Sequence, residues 1–323
     1  MNVACTILDA DFLHYALALN ESLLKFGNTP LYMLIMGSKI QEDEILMKFP
    51  NIRILYLDDI TNNKLIIEMI VKYINTDINA LRWGLKPFLL NYLLDIHENV
   101  LWLDSDLFFF SDYQFLFDEL KENNIILTPH WRNINPNHAD KFEKTNYKLL
   151  FTDGIFNAGF VGVNRKAKDA MLWWASACTA DCELNVSKGF FADQAYLALL
   201  PIYFPKVKII RHRGCNVSSW NFVECKRTAG HKGEILINNE FPIIFIHFTS
   251  HCIQSIQNGT DSLLSNHADN YVKTINKYKP FSQPYKEIKA KLLEEKNAKP
   301  KNIVVKIKEF LRLRTRIKRF LAG

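Results

Sequence analysis

Asp104 and Asp106 stand one residue apart in LWLDSDLFFF, residues 101–110, inside a run that otherwise has the look of a buried strand. An ionised carboxylate buried without a partner costs several kcal/mol, so the pair needs protons, hydrogen bonds or a cation. On a strand, residues i and i+2 point to the same side, and the two carboxylates therefore converge on one spot. Hard divalent cations such as Mg²⁺ and Mn²⁺ prefer carboxylate oxygen and commonly bridge it to substrate phosphates. A solvated turn or a helix cap competes for the same three residues. The chain has no G-x-x-x-x-G-K-[ST] loop, and no G-x-G-x-x-G follows its first strand. Neutralising a phosphate would thus fall to a metal and to side chains, not to a glycine-rich nest.

The elements that must position this pair alternate along the first third of the chain. VACTIL (3–8) is a strand, followed by FLHYALALNESLLKFG with helical spacing at Phe12, Ala16, Leu19 and Leu23 and a stop at Gly27. PLYMLIMG and NIRILYL are further strands around a short helix near QEDEILMKF, and KLIIEMIVKYI and LKPFLLNYLLDIHE are helices before VLWL. Strands alternating with helices predict βαβ units and a mostly parallel sheet. Ligands of such sheets bind beyond the carboxyl ends of the strands, which is where Asp-Ser-Asp falls if VLWL is the strand. Beyond residue 111, NIILTPHW, NAGFVGVNR, VKIIR and PIIFIHF are predicted strands, and AKDAMLWWASAC and FADQAYLALLP predicted helices.

The 323 residues are 48% apolar and 23% charged, the composition of a globular protein with a sizeable, aromatic-rich core. The N-terminal stretch lacks a basic n-region and a small-residue cleavage site, so no signal peptide is expected. No apolar run approaches the roughly 18 residues of a membrane span. Cys178 and Cys182 are four apart without a second pair, so free thiols are expected in place of a zinc site or disulfides. The net charge of +6 is uneven: nine Lys and Arg against Glu309 give residues 299–323 a net +8, and the preceding residues sum to −2.

Several stretches together resemble one family. CTILDADFLHYALALNESL, LKPFLLNYLL, LWLDSDLFFF, LTPHW, GIFNAGFVGVNR, FFADQAYLALLP, GCNVSSWNF and FIHF occur in the order found in bacterial sugar transferases of the GT-A fold, distantly related to glycosyltransferase family 8. The resemblance implies an α/β, Rossmann-like GT-A fold with a mixed, mostly parallel sheet flanked by helices. It also implies a nucleotide-diphosphate sugar donor, a UDP-sugar foremost, held with Mn²⁺ or Mg²⁺.

Carried onto this sequence, the resemblance gives Asp104, Asp106 and His247 as the metal shell, with Ser105 between the aspartates. Thr6, Asp9 and Asp11 would sit where the nucleotide base docks, although Asp11 also suits a helix N-cap. Lys86 would lie near the donor phosphate or sugar. Asn157, Ala158 and Gly159 would pass under the donor sugar, glycine permitting close backbone approach. Asp193 and Gln194 would face the sugar ring in catalytic roles, with a helix-capping Asp193 as the alternative. Trp220 and Asn221 would line the acceptor groove. The chain departs from the family in having Cys215, Ser218 and Ser219 in the late segment, and Thr249 and Ser250 after His247.

The domain expectation is a glycosyltransferase body over 1–277, a linker over 278–300 and a basic amphipathic helix over 301–323. That helix groups Ile303, Ile307, Phe310, Ile317 and Leu321 on one face with Arg and Lys elsewhere, a pattern suited to an anionic membrane surface. The expected setting is cytoplasmic and peripheral on the inner membrane face, with a glycan or lipid-linked acceptor in surface-polysaccharide synthesis and no nucleic-acid partner. The rival readings are a nucleotidyltransferase, which would show a glycine-rich first loop that ILDADFLHY lacks, and a non-catalytic glycan-binding or scaffold protein.

Overall fold

The structure, a computed structural model, describes residues 1–282 apart from positions 38, 41 and 232. A seven-stranded sheet runs through it. Four of its strands carry the early βαβ pattern, β1 (Asn2–Asp9), β2 (Leu31–Met36), β3 (Ile52–Tyr56) and β4 (Asn99–Leu103); after the short β5 (Leu107–Phe109) outside the sheet comes β6 (Ile125–Pro129). With β7 (Phe156–Asn164) and β8 (Val207–Ile209) the spatial order is β8-β6-β7-β4-β1-β2-β3. All neighbours pair in parallel except β7, which runs antiparallel to both β4 and β6. The fold class expected from the sequence is thus the one found.

The central strands are buried on both faces, as near-continuous apolar runs require. Along β1, Ala4 and Leu8 face one layer and Val3, Cys5 and Ile7 the other. Helix α1 (Leu13–Leu24) and the C-terminal α5 (Ser265–Tyr278) pack in the first layer; α2 (Lys86–Ile96) and α3 (Lys168–Ala180) pack in the second. All six cysteines are buried free thiols. None of the described helices is long and apolar enough to cross a membrane.

Two local readings differ from the structure. FADQAYLALLP folds as a 3-10 turn over Gln194–Leu199 and only one turn of α-helix, α4 (Leu200–Tyr203), whose Pro201 lacks the N–H a longer helix would need. Tyr278, placed in a linker by its polar neighbours, closes α5, is buried, and bonds Glu21 on α1 through its hydroxyl. The folded body therefore reaches Ser282. The remainder of the expected linker and the basic segment 301–323 lie outside the described residues.

Candidate active site

Two strand registers bring the expected metal ligands together. Antiparallel pairing of β5 with β9 (Phe245–His247) sets His247 opposite Leu107, one residue after Asp106. Pairing of β4 with β7 sets Leu103 opposite Phe160, and the Asp104 N–H donates to the Gly159 carbonyl at 2.8 Å. As a result His247 Nε2 lies 3.1 Å from Asp106 Oδ1 and 3.9 Å from Asp104 Oδ2. Candidate ligand atoms of all three residues lie within 4.8 Å of one another. Two carboxylates and an imidazole suit a divalent cation such as Mn²⁺, and they converge where the sheet's parallel strands end.

The histidine approaches because residue 159 has no side chain. A Cβ there would lie 2.4 Å from His247 Cε1 and 2.8 Å from its Nδ1. Burial disfavours the imidazolium, but Asp106 and then Asp104 outweigh it and raise the His247 pKa. Burial would raise Asp106, whereas His247 beside it holds that carboxyl below its usual range.

Lys86, the first residue of α2, is 4% exposed and links this triad to Asp193. Its Nζ lies 3.4 Å from Asp104 Oδ1 and 3.2 Å from Asp193 Oδ2, and donates to the Ala158 carbonyl at 3.2 Å. Burial works against its charge, yet Asp104 and Asp193 hold the ammonium above the ordinary lysine value. Asp193 is 3% exposed, and burial, opposed by Lys86 and reinforced by Asp104, pushes it up to about 6. Its side chain makes no helix-capping bond. The preceding Ala192 carries a left-handed φ of 49°, an uncommon conformation for a residue with a Cβ, where the chain turns to deliver Asp193.

Behind these charges lies a web of neutral groups. Gln194 is spent on it: Oε1 accepts from the Ala158 N–H at 2.8 Å, and Nε2 donates to the Asp153 carbonyl at 2.6 Å. Asn157 Oδ1 accepts from the Gly159 N–H at 3.0 Å and from Asn216 Nδ2 at 3.1 Å. His130 Nδ1 lies 2.7 Å from the Gly154 carbonyl, which can only accept, so the proton is on Nδ1; Nε2 accepts from Asn157 Nδ2 at 3.1 Å. Burial, then Arg132, lowers its pKa to about 3, so this ring is neutral at working pH.

A cavity of about 680 Å³ opens beside the triad. Asp104, Ser105, Asp106 and Lys86 line it, together with Phe12, Tyr15, Arg82 and Trp83 and residues of α5. The three expected base-docking residues are placed differently from the expectation. Thr6 is fully buried inside β1, and Ile7 and Leu8 reach the cavity in its stead. Asp9 pairs with Arg82 at 3.0 Å and so orients a cavity residue without lining the cavity itself. Asp11 lies in the first turn of a 3-10 helix that has no side-chain cap.

The expected acceptor residues divide. Trp220 is half-buried and meets the rings of His130 and His247 edge-on at 5.6 and 5.3 Å, with Nε1 unpartnered. Asn221 is fully buried, and its amide is consumed: Oδ1 accepts from the Ser218 N–H at 3.0 Å, and Nδ2 donates to the Asn216 carbonyl at 2.9 Å. It braces its own turn and offers nothing to an acceptor. Thr249, the departure after His247, N-caps the following helix by accepting from the Cys252 N–H at 3.2 Å. His130 sits in LTPHW, where the sequence assigns no role to any residue, and Asn216 in GCNVSSWNF, where Trp220 and Asn221 take the roles.

No protein-family model matches the chain. It is 28% identical over 265 residues to the uncharacterized protein YfnF of Bacillus subtilis, covering 78% of this chain and 82% of YfnF. It is 32% identical over 174 residues to the uncharacterized protein YfnD of the same organism, spanning about half of it, 52%. Among solved structures, the galactosyltransferase LgtC in complex with donor and acceptor sugar analogues superposes with a TM-score of 0.52 at 14% identity, covering 86% of this chain and 96% of LgtC. The chain has the GT-A glycosyltransferase fold.

Proposed function

We propose that the protein is a metal-dependent glycosyltransferase that moves a sugar from a nucleoside-diphosphate donor to a glycan or lipid-linked acceptor in bacterial surface-polysaccharide synthesis. The observation that carries this reading is the junction of the Asp104–Asp106–His247 triad with the buried Lys86–Asp193 pair, beside a cavity that Asp104, Asp106 and Lys86 line. A divalent cation held by the triad would supply electrostatic stabilisation of the leaving diphosphate. Lys86 adds a fixed positive charge in a dry setting, where it acts more strongly than in water. Ionised Asp193 is placed to accept hydrogen bonds from sugar hydroxyls. The family resemblance favours retention of anomeric configuration.

The test is calorimetric binding of UDP, GDP, dTDP and CMP, each with and without Mn²⁺, to the wild type and to Asp104→Ala. Metal-dependent binding of one diphosphate, abolished in the variant, supports the donor site and names the base. Binding of none would favour the scaffold reading. The basic segment 301–323 is proposed to hold the enzyme at an anionic membrane, on the strength of its charge and spacing. Undiminished binding to anionic vesicles after its deletion would sink that proposal.

A further inference from the structure

Part of the cavity's wall belongs to the C-terminal helix. Tyr271, Val272, Ile275 and Asn276 of α5, and Lys279 just beyond it, all line the cavity. Their spacing of one, three and four residues is that of a single helix face. From Tyr271 to Lys279 this face runs about 12 Å at the helical rise. It starts at the metal triad: the Tyr271 ring stacks on Phe248 at 4.2 Å, Phe248 follows His247, and its N–H donates to the Asp106 carbonyl at 2.9 Å. It ends away from the triad, at Lys279.

The wall is fixed in place. Lys277 Nζ pairs with Glu21 Oε2 on α1 at 2.6 Å, and Tyr278 bonds the same carboxylate. Ser282 Oγ accepts from the His14 N–H at 2.9 Å. By contrast, Asn276 and Lys279 are exposed and make no side-chain hydrogen bond or ion pair among the described residues. They are polar groups without structural duties, carried on a rigid support and lining a cavity whose lining also includes aromatic residues.

We infer that α5 is the nucleoside-selecting wall of the donor cavity, with Val272 and Ile275 packing on the nucleoside and Asn276 and Lys279 supplying the hydrogen bonds that rank one base over another. This rests on the donor-site reading above. A diphosphate anchored at Asp104 and Asp106 would direct its nucleoside into the cavity that Phe12, Tyr15 and this helix face line together.

The experiment measures Kd for UDP, GDP, dTDP and CMP, all with Mn²⁺, on the full-length wild type and on Asn276→Ala, Lys279→Ala and Val272→Trp. Asn276→Ala and Lys279→Ala are expected to weaken the preferred nucleotide roughly 3- to 10-fold, the worth of about one net hydrogen bond, and to flatten the ranking. Val272→Trp, on an exposed position, should weaken all four by narrowing the cavity while leaving the far-ultraviolet spectrum unchanged. Affinities and ranking within twofold of wild type in all three variants would overturn the inference and leave the donor site standing. If the wild type binds none of the four, the donor-site reading falls first and the inference with it.

Discussion

Gly159 and His247 are packed so closely that any side chain at 159 would collide with the imidazole: a Cβ would lie 2.4 Å from Cε1 and 2.7 Å from Asn157 Oδ1 on the other side. Neither neighbour can retreat freely, because His247 is 4% exposed and Asn157 is tied to Asn216 and His130. Gly159→Ala should therefore push the imidazole off the Asp104–Asp106 line without removing a ligand. Displacing a ligand's support typically lowers metal affinity 10- to 100-fold. A Mn²⁺ titration of nucleotide binding should show a loss of that order, with nucleotide affinity recovered at saturating metal. Wild-type Mn²⁺ dependence in this variant would mean that His247 takes no part in metal binding.

Lys86 neutralises two carboxylates at once, and its removal should be felt mainly as loss of fold stability. Lys86→Met leaves Asp193, 3% exposed, without its counter-charge, a change worth roughly 3–5 kcal/mol for a broken buried pair. Lys86→Met with Asp193→Asn removes both charges and should recover part of that loss. Urea unfolding of the two single variants and the double variant closes the cycle. Strict additivity would show that the pair at 3.2 Å does not couple.

The sheet and the Asp104–Asp106 pair were legible in the sequence because each rests on local pattern. Strand-helix alternation predicts the parallel strands, and two aspartates at the end of an apolar strand predict a polar convergence there. His247 came from the resemblance; the physical reason it works, the β5–β9 register, is a long-range pairing that spacing along the chain does not reveal. The burial of Asn221 and Gln194 was equally hidden. Both are polar residues in matching motifs, and only the tertiary structure shows that their amides are consumed by neighbouring backbone. Tyr278 was misread for the same reason, since its polar surroundings conceal the Glu21 contact across 257 residues.

Asn221 offers a direct check on that correction. With its amide bonded to Ser218 and Asn216 and wholly buried, Asn221→Ala leaves two backbone groups unsatisfied. The expected outcome is a stability loss of roughly 2–4 kcal/mol by denaturant unfolding, with metal and nucleotide affinity unchanged in the folded fraction. A fully stable variant with a raised acceptor KM would return Asn221 to the acceptor groove.

Asp193 gives the protein a pH signature with a definite sign. Burial holds its carboxyl at about 6 in the folded state, against about 3.9 in an unfolded chain, so the folded form binds this proton more tightly. Its contribution to stability is complete below about pH 4, declines as pH rises to about 6, and is flat above; two units correspond to about 3 kcal/mol. His130, held down to about 3 by burial, slopes the other way, gaining stability as pH rises toward about 6.5. The two partly cancel in the wild type. Asp193→Asn removes only the first, so its stability relative to wild type should improve between pH 4.5 and 7, measured by urea unfolding across that range. On the proposed role of Asp193 in accepting from sugar hydroxyls, transfer activity of the wild type should rise through an apparent pKa near 6. A variant whose stability tracks the wild type at every pH would show that Asp193 ionises as freely in the folded protein as in the unfolded chain, and that the Lys86 pair fully offsets its burial.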